Sequence, residues 1–335
     1  MKICVFETES WERETFEALA DEHEITHTDK PLTADNVDEY KDADVVSVFI
    51  YSDLSAKVLD KLENLKLVAT RSTGFDHVDT QVCEERGITV SNVPTYGTNT
   101  VAEHVFALLL ALSHRMIEAT DRTRRGDFSQ QGLRGFDLRG KTLGIVGTGD
   151  IGLCTIEIAR GFNMNVVAYD VAPDEALEEK FGFEYVDFDE LLAQSDVISL
   201  HVPLNEHTRG LLGEEEFEKM KDGVVIINTA RGAVIDVQAL LFALSEGKVA
   251  AAGLDVIPEE PTVREEAQLL HRMFREKHDL ETILADHVLL RMRNVIITPH
   301  SAFNTKEAIQ RILDTTVENI DAFCAGEPVN VVAGG

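Results

Sequence analysis

Two groups of residues have the types and spacing that chemistry needs. The first is Gly147-Thr148-Gly149-Asp150-Ile151-Gly152, which follows the apolar run Leu143–Val146 and opens a helix-prone stretch, Ile151–Phe162. A bare G-x-G-x-x-G says little, but here the strand, the helix and a following acid are all present. The next strand pattern, Val166–Tyr169, ends in Asp170, eighteen residues past Gly152. Gly147 suits the tight turn, Gly149 lets a pyrophosphate approach the backbone, and Gly152 lets helix pack on strand. Amides at the helix start then bind phosphate, with Asp150 and Ile151 in that first turn. Asp170 can accept from a ribose hydroxyl and would repel a 2′-phosphate by roughly 1–4 kcal/mol. With Val171-Ala172-Pro173 after it, no arginine is at hand for such a phosphate. The pattern therefore selects NAD over NADP.

The second group consists of three strand ends that carry polar residues: Asn228-Thr229-Ala230-Arg231-Gly232, Gly253 to Pro261 with Asp255, Glu259 and Glu260, and Thr298-Pro299-His300-Ser301-Ala302-Phe303. Ligands of open parallel sheets bind outside such ends. His201, in His201-Val202-Pro203, ends another strand beside the expected cofactor and lines it rather than transferring protons.

These residues need a frame, and the hydrophobic pattern supplies one. Strand-like runs in the first hundred residues are Lys2–Phe6, Glu24–Thr28, Val45–Ile50, Leu67–Thr70 and Ile88–Val93, with amphipathic stretches such as Trp11–Ala20 and Ala56–Leu62 between them. One long helical pattern runs from Thr100 to about Arg125, with Ala102, Val105, Phe106, Leu109 and Leu112 on a stripe. A second alternating series follows: Thr142–Val146, Val166–Tyr169, Val197–His201, Val224–Asn228, Ala250–Leu254 and Val295–Thr298. Such alternation predicts α/β architecture, here two doubly wound parallel-sheet domains in series. The helix Thr305–Ala325 comes after the second sheet is complete, so the tail is expected to complete a discontinuous first domain. The charged stretch Pro261–Arg293 breaks the alternation and reads as one or two surface helices.

Composition narrows the partners. Sixty acidic against 31 basic residues give a net charge of −29, which excludes a phosphate-binding basic surface and so nucleic acid. Arg122-Thr123-Arg124-Arg125 is a short solvated helix end. The acid excess, with Arg outnumbering Lys, is compatible with a salt-adapted source. The apolar stretch Val105–Leu112 is too short to span a bilayer, so no membrane partner is expected. Met1–Phe6 reads as a first strand and lacks the parts of a secretory signal, and the four scattered cysteines form no C-x-x-C pair, so a cytoplasmic location is expected. His23-Glu24-Ile25-Thr26-His27 fits H-E-x-x-H, but its β-branched residues predict a strand. Residues four apart in a strand lie roughly 13 Å apart, too far for one ion, and no metal is expected.

The glycine loop, the three strand ends and Asn99-Thr100-Val101-Ala102-Glu103-His104-Val105-Phe106-Ala107-Leu108 together resemble the D-isomer-specific 2-hydroxyacid dehydrogenase family, from Tyr51 to the C-terminal helix. The resemblance implies a flavodoxin-like substrate domain over 1–98 and 301–335 and a Rossmann NAD-binding domain over 99–300. It implies Arg231, Glu260 and His300 as the catalytic set, with the acid directly before proline chosen over Glu259. The chemistry wants the same types. An arginine fork holds a carboxylate, an imidazole gives a proton to a developing alkoxide near neutral pH, and a carboxylate beside it favours the imidazolium. Further implied are cofactor contacts at Val202, Pro203, Thr229, Ala230 and Asp255, and a substrate-carboxylate loop at Thr73 and Gly74. Tyr51, Tyr96 and Phe303 match aromatic positions that close around a small methyl-bearing keto acid in the family's D-lactate dehydrogenases. Pyruvate and D-lactate are thus the expected pair, with NADH as reductant and a homodimer as the assembly. The alternatives are glyoxylate, hydroxypyruvate or bulkier keto acids, or the NADH-responsive corepressor role of some relatives, which predicts a peptide groove and negligible turnover. Two departures stand out: Thr98 where relatives often have proline, and a longer stretch between Glu260 and His300.

Overall fold

The computed structural model describes residues 1–258, 285 and 287–334. Glu259, Glu260 and most of the expected surface helices of 261–293 lie outside the described residues. The chain forms two compact units, Met1–Tyr96 with Asn304–Gly335, and Gly97–Phe303. A boundary after residue 300 would place Phe303 in the first unit, whereas its contacts place it in the second. The cause is local. The amides of Ser301 and Ala302 donate to the carboxylate of Asp255, which holds the chain to the second sheet past His300.

In the first unit, strands β1 (Lys2–Val5), β2 (Glu24–His27), β3 (Val45–Val48), β4 (Leu67–Thr70) and β5 (Thr89–Ser91) pair in parallel in the order 5-4-3-1-2. This is the flavodoxin-like order, with its reversal between β1 and β3. Every residue of β3 and β4 is buried, because helices cover both faces of the sheet. One face is closed by the helix Lys306–Cys324, whose Leu313 and Ile320 pack with Ile3, Val5 and Leu67. Fully burying a leucine is worth roughly 2 kcal/mol relative to leaving it exposed, so this returning helix contributes several. Glu24–His27 of the H-E-x-x-H segment form β2, with His23 just before it.

The second unit holds β6 (Thr142–Val146), β7 (Asn165–Tyr169), β8 (Glu184–Tyr185), β9 (Val197–Leu200), β10 (Val224–Asn228), β11 (Val249–Leu254) and β12 (Val295–Ile297). Their order is 8-7-6-9-10-11-12, all parallel, the Rossmann arrangement with its reversal between β6 and β9. Apolar clusters fill both faces of this sheet.

The single helix expected from Thr100 to Arg125 is two helices, Thr98–Ser113 and Met116–Arg124, bent by 61°. The break falls at Arg115, whose φ of 51° is left-handed and cannot continue a right-handed helix. Among the described residues, no single helix is long and apolar enough to cross a membrane.

Candidate active site

Each described residue singled out in the second unit sits at the carboxyl edge of its sheet, where ligands of such sheets bind. After β6, Gly147 turns with φ +97° and its amide donates to Tyr169 O at 2.8 Å. The helix Asp150–Gly161 starts directly behind it, with Gly149 as its N-cap. A Cβ at Gly152 would collide with the carbonyl oxygen of Gly147, so helix and strand can meet only with glycine there. A Cβ at Gly149 would meet no protein atom, which leaves the backbone open toward a ligand. The early amides of this helix, at Asp150, Ile151 and Gly152, have no partner within the helix and are suited to phosphate oxygens.

Asp170 follows β7 and folds back under this turn. Its Oδ2 accepts from Thr148 N at 2.8 Å and from Thr148 Oγ1 at 3.0 Å, and its Oδ1 accepts from Ala172 N at 3.0 Å. Burial works against its charge, but these donors outweigh it and hold the carboxyl below the usual range. Thr148 Oγ1 also lies 2.8 Å from Tyr185 Oη, so β8 braces the acid from the far side. Asp170 is therefore a fixed anion with lone pairs left for a ribose hydroxyl. After β9, His201 pairs through Nε2 with Ser199 Oγ at 2.9 Å, and burial pushes its pKa down to about 4. A neutral imidazole beside Val202 and Pro203 is suited to wall a cofactor rather than to give a proton at neutral pH.

The segment after β10 carries Thr229, Ala230 and Arg231. Buried Asn228 holds it in shape: its Oδ1 accepts from Ala230 N at 3.0 Å and its Nδ2 donates to Arg231 O at 2.9 Å. Thr229 Oγ1 is buried with no hydrogen-bond partner among the described residues, a polar atom that a bound cofactor would satisfy. A Cβ at Gly232 would strike the Ile257–Pro258 backbone, so glycine here brings the Arg231 turn against the segment that leads toward Glu260. The sequence motif names Asn228 and Gly232 without giving either a role: Asn228 braces the turn by local bonds, and Gly232 allows a close approach between distant segments.

Asp255, at the end of β11, is 1% exposed. Its Oδ1 accepts from Thr298 Oγ1 at 2.5 Å and from Ser301 N at 2.9 Å, and its Oδ2 accepts from Ala302 N at 2.9 Å. Its carbonyl oxygen accepts from His300 N, also at 2.9 Å. His104, from the helix Thr98–Ser113, adds Nε2 at 3.0 Å from Thr298 Oγ1 and 3.5 Å from Asp255 Oδ1. Burial opposes the charge of Asp255, yet His104, Thr298 and the two amides keep its carboxyl below the ordinary range. Asp255 is thus first of all the anchor of the His300 loop. His300 itself has φ +50°, an unusual state for a residue with a side chain, held by this surrounding network.

In the first unit, Tyr51 follows β3, Thr73 and Gly74 follow β4, and Tyr96 follows β5, all at carboxyl ends. The 71–76 loop is stapled by Ser72 Oγ to Gly74 O at 2.6 Å, Thr73 Oγ1 to Val93 O at 2.8 Å and Asn92 Nδ2 to Thr73 O at 2.8 Å. Among the described residues, the amides of Thr73, Gly74 and Phe75 donate to no protein acceptor. Successive amides of this kind form a cradle for an anion such as a carboxylate. The Tyr96 carbonyl accepts from Arg311 Nε at 2.8 Å, which ties it to the C-terminal helix.

A Rossmann sheet with a glycine-loop cofactor edge and Arg231 and His300 on its strand ends, joined in one chain to a flavodoxin-like unit, defines an NAD-linked dehydrogenase. The match to known proteins is specific. Residues 106–302 fit the NAD-binding domain of the D-isomer specific 2-hydroxyacid dehydrogenases. The D-lactate dehydrogenase of Escherichia coli is 37% identical over 98% of both chains, and the hydroxypyruvate reductase of Blautia hydrogenotrophica is 40% identical over 87% of this chain and 85% of its own. Among solved structures, a D-lactate dehydrogenase from Aquifex aeolicus complexed with NAD and lactic acid is 37% identical, with a TM-score of 0.85 over 97% of this chain and 96% of its own. The chain belongs to the D-isomer-specific 2-hydroxyacid dehydrogenase family, NAD-dependent oxidoreductases that act on 2-hydroxy acids.

Proposed function

We propose that this enzyme is a D-lactate dehydrogenase that reduces pyruvate to D-lactate, with Met1–Tyr96 and Asn304–Gly335 as substrate domain and Gly97–Phe303 as NAD-binding domain. The observation that carries the reading is the end-to-end match to D-lactate dehydrogenases, 97–98% of this chain, against 87% for the hydroxypyruvate reductase. The aromatic residues Tyr51, Tyr96 and Phe303 support it, as a small apolar wall suits a methyl group.

When bound, NADH supplies the hydride that reduces C2 of the keto acid. Gly147, Gly149, Asp150, Ile151 and Gly152 hold its pyrophosphate, Asp170 its ribose, and His201, Val202, Pro203, Thr229, Ala230 and Asp255 line its remainder. The Arg231 fork binds the substrate carboxylate and polarises the carbonyl, an interaction that lysine cannot copy. Thr73 and Gly74 offer amides to the same carboxylate. His300 gives a proton to the alkoxide oxygen as it forms, and Glu260 favours its protonated form. The second reading, a hydroxypyruvate or glyoxylate reductase, has the 40% identity to the Blautia enzyme in its favour. NADH oxidation across a panel of 2-keto acids separates them. Pyruvate should give the highest kcat/KM, and a tenfold preference for hydroxypyruvate or glyoxylate would overturn the assignment.

A homodimer is part of this proposal. The helix Met116–Arg124 buries none of its residues, and Met116, Ile117 and Phe128 expose apolar surface that a second copy would cover.

A further inference from the structure

Glu7 lies outside every motif that carries the chemistry, yet it is among the most committed side chains in the first unit. It follows β1 with φ +53°, in the left-handed region that residues with side chains seldom enter. Its backbone is fixed from both sides: its amide donates to Lys30 O at 3.2 Å, and its carbonyl accepts from Arg71 Nη2 at 3.0 Å. That guanidinium is itself buried and also donates to Phe6 O at 2.7 Å and Ser47 Oγ at 3.3 Å.

The turn aims the Glu7 carboxylate into the loop that follows β3. Oε2 accepts from Phe49 N and from Ser52 Oγ, and Oε1 accepts from Tyr51 N, each at 2.7 Å. Three charge-assisted bonds thus converge from a four-residue stretch. Ser52 Oγ accepts in turn from Leu32 N at 2.9 Å, which wires the loop into the core. The outcome is unusual for a surface aromatic: Tyr51 has its amide pinned while the residue stays 47% exposed. Its ring meets Phe49 edge-on, with centroids 6.2 Å apart. The site lies at the carboxyl ends of β1 and β3, where the strand order reverses and open α/β sheets bind ligands.

We propose that Glu7 is a positioning residue that sets substrate fit by fixing the Phe49–Ser52 loop and so the Tyr51 ring; this rests on the reading of Tyr51 as a substrate contact. Loss of the carboxylate frees three donors at once, and the ring then samples several positions. A misplaced binding contact weakens substrate binding more than it slows the chemical step.

The test compares Glu7→Ala, Glu7→Gln and Tyr51→Ala in the full chain with NADH. Glu7→Ala should raise KM for pyruvate about tenfold, keep kcat within about twofold, and lower the preference for pyruvate over a branched keto acid. NADH affinity should stay unchanged. Glu7→Gln keeps one acceptor oxygen for Phe49 N and Ser52 Oγ but opposes Tyr51 N with a donor, so its KM should fall between. An unchanged KM in Glu7→Gln overturns the proposal even where Glu7→Ala fails to fold, as does a parallel fall in kcat with KM constant. Tyr51→Ala distinguishes the layers. If it changes KM and selectivity while the Glu7 variants do not, only the role of Glu7 fails. If it changes neither, the reading of Tyr51 fails and the role of Glu7 with it.

Discussion

At the residue scale, the candidate site is a set of side chains whose charges are fixed by hydrogen bonds rather than by solvent. His300 stands on a strained backbone that Asp255 holds through its carbonyl and through the amides just beyond it. A proton donor kept in one place at a substrate oxygen is worth about 10²–10⁴ in rate. His300→Ala should therefore lower kcat by about that range while NADH affinity, read by fluorescence titration, changes less than about twofold; surviving turnover would remove His300 from the chemistry. His201 behaves oppositely. Its folded pKa of about 4 lies below the ordinary histidine value of 6.5, because burial disfavours the imidazolium. The unfolded chain thus binds a proton that the folded chain refuses between those values, so His201 contributes stability above pH 6.5 that is lost as the pH falls toward 4. Urea unfolding at pH 7 and pH 5 should show this loss in the native protein. His201→Gln should show a smaller one, and identical pH slopes would count against a neutral buried His201.

At the element scale, the β6 turn and the helix Asp150–Gly161 work as one part, because Gly152 lets the helix start against the Gly147 carbonyl. Gly152→Ala forces helix and strand apart, an overpacking that costs about 1–3 kcal/mol. The expected result is a melting temperature several degrees lower and NADH binding weakened by tenfold or more; an alanine variant with normal NADH affinity would mean that this turn does not set the phosphate cradle. Elements also show where the sequence pattern was readable. Leu67–Thr70, Thr142–Val146 and Val224–Asn228 are strands at the expected residues, since each is a run of apolar side chains buried on both faces. Glu184–Tyr185 and Val331–Ala333 carry no strand signal in the sequence. They span two and three residues at sheet edges, too short for any periodicity, and exist because a neighbouring strand offers unpaired backbone. The break at Arg115 is silent in the sequence because no proline or glycine marks it.

At the scale of the whole molecule, the chain leaves its first unit and returns to it. Ser91 Oγ donates to Val329 O at 2.9 Å and Thr89 Oγ1 to Gly334 O at 3.1 Å, so residues more than 200 positions apart close one sheet. The second unit leaves Met116, Ile117 and Phe128 exposed, Phe128 by 79%. Apolar groups of this size on a chain of net charge −29 are best explained by a partner surface. Light scattering should give twice the chain mass, and Ile117→Glu should lower it toward the monomer; a monomeric native protein would exclude the dimer.

The sequence by itself determined the two-sheet plan and the glycine loop with Asp170, because each depends on residue type at short spacing, while Arg231, Glu260 and His300 are what the resemblance to the family implies. Glu260 lies outside the described residues, and its role still rests on the motif alone. Only the tertiary structure decided that Asp255 anchors the His300 loop, that Asn228 and Gly232 shape the Arg231 turn, and that Glu7 grips the Tyr51 loop. Apart from the local bonds of Asn228, those roles are contacts between residues 25 to 47 positions apart, made where several strand ends converge. Hydrophobic periodicity fixes which residues face a core, but it carries no record of which polar side chains meet at a sheet edge.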